Sequence, residues 1–134
     1  MPTLIDNAVV PVSVTVTTDA KGEVIITCTP NPVPVNGFHS LLSFNLDTRG
    51  YRFRTVNAIE LDEPDPDFPY PSWTVTPTLA TLYDLCNTNQ LFKYTVHVVN
   101  TISDLESSVD PVIQNGDGNA KHKRKPKPKA KSKR

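Results

Sequence analysis

Hydrophobic positions in this chain recur at every second residue. Val12, Val14 and Val16 alternate with Ser13, Thr15 and Thr17, the period of a strand that buries one face. Asp19-Ala-Lys-Gly22 supplies turn residues and Val24 to Thr29 resumes with β-branched side chains, so the two runs predict a hairpin. Leu41 to Leu46 is a third strand, stopped by Asp47-Thr-Arg-Gly50. Tyr51 and Phe53 then face one way and Arg52 and Arg54 the other. The phase slips near Asn57, which predicts a bulge or two short strands up to Leu61. Trp73 and Val75 mark a short strand, and Leu79 to Cys86 fits either a strand or a single helical turn. Phe92, Tyr94, Val96 and Val98 give the clearest alternation, and Asp110-Pro-Val-Ile-Gln-Asn115 closes the series before Gly116-Asp-Gly118.

Short strands punctuated by turns predict an all-β fold: an antiparallel two-sheet sandwich, immunoglobulin-like in the broad sense, formed by residues 1–116. Thirteen prolines against five glycines argue against long helices. The segment Pro30-Asn-Pro-Val-Pro-Val-Asn-Gly37 holds three prolines without a ladder donor and is expected to carry the chain from one sheet to the other. The hallmarks of antibody domains are not met. Trp73 precedes Cys86 instead of following Cys28, and Tyr83 stands three residues before Cys86 instead of two.

Charge changes the picture at the C-terminus. The chain has fourteen basic and fourteen acidic residues and is formally neutral. Nine of the bases (Lys121, Lys123, Arg124, Lys125, Lys127, Lys129, Lys131, Lys133 and Arg134) fall in 121–134, which has no acid; five remain against all fourteen acids. Residues 117–134 therefore predict a flexible, disordered basic tail: like charges repel, nothing can be buried, and prolines exclude a helix. Such a segment binds polyanions, nucleic acid among them, by counterion release and without reading bases. Acidic membrane headgroups or an acidic protein surface would serve equally. One acidic surface is the domain's own, tethered through Gly116-Asp-Gly-Asn-Ala120 at high effective concentration.

Met1-Pro-Thr-Leu-Ile-Asp-Asn7 lacks the basic and apolar regions of a secretory signal, and no run approaches the ~18 apolar residues of a membrane helix. Two cysteines are too few for a disulfide framework. A cytoplasmic protein with Cys28 and Cys86 as buried free thiols is the expectation, and a bridge between them the alternative.

Glu63-Pro64, Asp65-Pro66, the run Phe92-Lys-Tyr-Thr-Val-His-Val98 and the terminal Asp110-Pro-Val-Ile-Gln-Asn115 together resemble the DP-EP family over residues 8–116. The resemblance implies a compact β-sandwich of bacterial origin with no assigned activity. It brings no catalytic residues and no cofactor.

The remaining chemistry lies in one loop. Asp62, Glu63, Asp65 and Asp67 are interleaved with prolines and followed by Phe68, Tyr70 and Trp73. Clustered carboxylates can ligate Ca2+, but the glycine and spacing of an EF-hand are missing and the prolines turn alternate acids apart. No metal is assigned. These seven residues are the candidate docking surface for a partner or for the tail, since aromatic faces suit cationic side chains. Large aromatics also close the open end of a sandwich; that is the expected place of Trp73, whereas Tyr70 suits either role. His39, His97 and His122 form no constellation with the cysteines. The chain reads as a non-catalytic interaction module with a polyanion-binding tail. The alternatives are a structural, homo-oligomer-forming domain with an incidental tail, and a small enzyme or Ca-dependent binder using loop 62–67.

Overall fold

In a computed structural model, which describes residues 9–117 of the protein, β1 (Val9–Thr18) and β2 (Val24–Thr29) form the hairpin that their alternation predicts. Val14 lies opposite Cys28 and Val16 opposite Ile26, so all four face inward. The proline-rich segment then leaves this sheet. β3 (Val33–Val35), interrupted by Pro34, takes an edge of the second sheet, where a missing donor costs least. The chain returns as β4 (Ser40–Leu46) alongside β1, and the two run parallel. Parallel neighbours need a connection of about a dozen residues or more; the excursion through β3 provides it.

The remaining strands are β5 (Tyr51–Phe53), β6 (Ile59–Leu61), β7 (Trp73–Thr76), β8 (Leu79–Asp84), β9 (Gln90–Asn100), β10 (Glu106–Val109) and β11 (Val112–Asn115). The first sheet has the order β2-β1-β4-β8-β7. The second is organised on β9. Val96 pairs with both Ile59 and Val109, and Val98 with both Phe53 and Ser107. Thus β5 and β6 line one flank of β9, β10 and β11 line the other, and β3 lies beyond β11 in a second parallel pairing. The result is an all-β two-sheet sandwich, but each sheet is mixed where purely antiparallel sheets were expected. The phase slip at Asn57 separates β5 from β6, with Asn57 in the left-handed region (φ 52) that Asn tolerates. Leu79 to Asp84 is a strand.

Valines and aromatics from both sheets meet between them. Val12, Val14, Leu42 and Phe44 from the first sheet and Tyr94, Val96, Val98 and Ile113 from the second are fully buried. The Phe44 and Tyr94 rings meet edge to face across the core at 5.6 Å, the geometry aromatic quadrupoles prefer. Cys28 and Cys86 are buried and free, not bridged. Burial pushes both thiols up to about 11, with the Asp84 carboxyl adding to the effect at Cys86. Neither is the thiolate that nucleophilic chemistry needs. Among the described residues no helix is long and apolar enough to cross a membrane.

Candidate interaction surface

The loop after β6 combines exposed and buried acids. Asp62 and Glu63 are exposed. The Thr95 hydroxyl lies 3.0 Å from Asp62 Oδ1 and 2.7 Å from Asp110 Oδ1; with one proton it can donate to only one of them at a time. Asp65 folds the chain back on itself. Its Oδ1 accepts from the Asp67 amide (2.9 Å) and its carbonyl from the Phe68 amide (2.9 Å), an Asx turn.

That turn sends Asp67 and Phe68 inward, which corrects their expected role in docking. Asp67 is 2% exposed and accepts from the Asn87 and Thr88 amides, the Thr88 hydroxyl and Asn115 Nδ2. Phe68 is buried, edge-on to Phe92 at 4.9 Å. Asn115 Nδ2 also donates to Asp84 Oδ1 (3.0 Å), which accepts from the Cys86 amide as well (2.8 Å). One amide therefore bridges two buried carboxylates. Burial pushes the Asp84 carboxyl up to about 7; the nearby Asp67 and Asp65 charges add to the rise, and the Asn115 and Cys86 hydrogen bonds oppose it. This cluster joins the loop, β8 and β11 and serves the fold. Sequence reasoning missed it, although the signal was present: Asp84 and Asn115 continue the inward phase of Leu82 and Ile113.

Tyr70 and Trp73 remain on the outside. Tyr70 is 62% exposed; one face of its ring stacks on Tyr83 (5.8 Å, 29°), whose hydroxyl is hydrogen-bonded to His39 Nδ1. Trp73 is 70% exposed and does not close the sandwich end. It sits on β7, the edge strand of the first sheet, with exposed Val75 on the same strand and exposed Val56 bridged to it from the neighbouring segment. Between β6 and the loop opens a groove of about 570 Å³, lined by Pro64, Pro66, Pro69, Pro71 and Tyr70, with Glu60 and Asp65 among its polar residues. A second groove of about 320 Å³ adjoins it, sharing Leu61, Pro64 and Asp65 and adding Asp62, Glu63 and Lys93.

On β9, His97 lies between two glutamates: Nε2 is 2.8 Å from Glu60 Oε1 and Nδ1 is 2.9 Å from Glu106 Oε2. Arg54 reaches the same two oxygens at 3.0 and 3.1 Å. This four-residue ring ties Arg54, the residue after β5, to β6, β9 and β10 on the outer face of the sheet. Among the described residues no three His, Cys, Asp or Glu side chains are gathered as metal ligands. The expected polyanion-binding residues, Lys121, Lys123, Arg124, Lys125, Lys127, Lys129, Lys131, Lys133 and Arg134, lie outside the described residues.

Fold and surface together define a β-sandwich that presents an aromatic, proline-lined groove beside exposed acids. No protein-family model matches the chain, and no curated protein matches it either.

Proposed function

We propose that this protein is a non-catalytic interaction module whose Lys/Arg-rich C-terminal segment associates with polyanions such as nucleic acid. The observation that carries this reading is the separation of charge. Residues 121–134 hold nine bases and no acid, whereas residues 9–117 hold thirteen acids and five bases. A cationic run of this density neutralises phosphates and releases their counterions, and its prolines exclude a groove-reading helix, so the binding is nonspecific. A bacterial origin accompanies the resemblance to DP-EP proteins, and a cytoplasmic location accords with two unpaired thiols.

The test is retention of single-stranded DNA and of polyphosphate across a salt series, by the full chain and by a chain ending at Asp117. Full engagement of nine cations gives a log–log salt slope of about −6 to −8, and the shorter chain retains nothing. Equal retention by both chains, or retention insensitive to salt, refutes the proposal. The exposed edge at Trp73, Val75 and Val56 favours a second reading, a self-associating domain. A concentration-dependent mass that survives loss of the basic segment and disappears in Trp73→Lys would support it.

A further inference from the structure

The groove between β6 and the 64–72 loop has a matching segment in the same chain. We propose that it is the docking site of Lys125-Pro-Lys-Pro-Lys129, so that the C-terminal segment occupies its own domain when no other partner holds it. This does not rest on polyanion binding; the argument is one of chemistry, charge and reach.

The chemistry is that of extended proline-rich recognition. Prolines at alternate positions fix φ and remove backbone donors, and grooves lined by aromatic and proline rings accept such segments without needing those donors. Four prolines and Tyr70 line this groove. Tyr70 is pre-set: one ring face is stacked on Tyr83, and the ring remains largely exposed for a lysine ammonium to pack against.

Charge favours the same pairing. Asp65 lines the groove, and Asp62 and Glu63 stand beside it in the adjoining one. Glu60 also lines it but is already paired with Arg54 and His97. Among the described residues that line the two grooves the one base is Lys93, which stands next to those acids in the adjoining groove and is outnumbered by them.

Reach is ample. Asn115 Nδ2 is 3.1 Å from Asp67 Oδ2, and Asp67 is flanked in sequence by the groove-lining Pro66 and Phe68. At about 3.3–3.6 Å per residue, Ser72 at its far end is within about 18 Å of Asp67, while the ten residues from Asn115 to Lys125 span up to about 35 Å. Gly116 turns the chain out of the sheet. Its φ is 61°, its amide donates to Val35 O at 2.8 Å, and an added Cβ would meet Asn89 Oδ1 at 1.8 Å. A tether of this length holds the segment at an effective concentration of order mM.

The experiment compares amide spectra of the full chain and of a full chain carrying Lys125→Gln, Lys127→Gln and Lys129→Gln, at low and high salt. A synthetic peptide of residues 121–134 is the probe added to the substituted chain. The expected result is that differences map to 59–61 and 68–72, are independent of protein concentration, vanish at high salt and are restored by the peptide. Tyr70→Ala weakens peptide binding roughly two- to fivefold, the range of one exposed cation–π contact, with an unchanged Tm. Identical spectra overturn the proposal. So do differences confined to exposed acids with no response around Tyr70, which would mean diffuse attraction, and differences that grow with concentration, which would mean docking between copies. None of these outcomes alters the polyanion retention of the full chain, so the two proposals fail separately.

Discussion

A buried polar atom without a partner carries an energetic consequence, and Tyr94 has one. Its ring is fully buried against Phe44, its phenol oxygen has no hydrogen-bond partner among the described residues, and burial pushes its pKa up. Tyr94→Phe keeps the ring packing and removes the desolvation cost, so it should stabilise the protein by about 1 kcal/mol in urea unfolding; a loss of stability would contradict the orphaned hydroxyl. Asp84 gives a pH dependence. Its carboxyl titrates near 3.8 in the unfolded chain and near 7 in the folded one, so between these values the folded state holds the extra proton. The stability tied to that proton is full below about pH 4 and is lost as pH rises through about 7. Asp84→Asn retains an Oδ1 acceptor for the Cys86 amide and Asn115, and it cannot ionise. Its stability should therefore stay level over this window and exceed that of the parent at about pH 8 by roughly 2–4 kcal/mol. Parallel pH-dependent melts of the two proteins would exclude this account.

At the level of elements, the strands differ in what they can lose. β4 and β9 meet through Phe44 and Tyr94 in the centre of the core, and Phe44→Ala should cost about 3–5 kcal/mol. β7 is an edge strand with Trp73 and Val75 exposed and an irregular register between Thr74 and Thr76. Trp73→Ser should change stability by less than about 0.5 kcal/mol, although Trp is the largest side chain in the protein. Paired unfolding curves of the two variants check both values. The alternation of Val12 to Val16 and of Phe92 to Val98 made the sandwich legible in the sequence, as did the broken phase at Asn57. β10 was not legible, because Glu106-Ser-Ser-Val109 has a single apolar residue and is a strand only by pairing with β9. The parallel pairings escaped for a related reason: periodicity fixes a face but not a neighbour. The candidate surface was half legible. Tyr70, for which the sequence left either role open, is exposed, as are Asp62 and Glu63, whereas the Asx turn at Asp65 buried Asp67 and Phe68, and the edge position of β7 left Trp73 uncovered.

For the whole molecule, the governing quantity is charge and where it lies. The full chain has a pI near 6.8 and no net charge at neutral pH, although residues 1–117 alone hold fourteen acids and five bases. Near pH 7 and at low salt the full chain should be poorly soluble and improve with added salt, while a chain ending at Asp117 stays soluble throughout. Turbidity against ionic strength for both chains tests this, and equal behaviour would argue against charge-driven association.

The placement of β11 has a consequence for biogenesis. Ile113 pairs with Val33, eighty positions earlier in the chain, and Phe92 depends on that same late strand for one of its neighbours. The second sheet therefore cannot be completed while its last residues are still being synthesised. Closure of this sheet should be a comparatively slow event that waits for β11 to emerge, as expected for topologies dominated by distant partners.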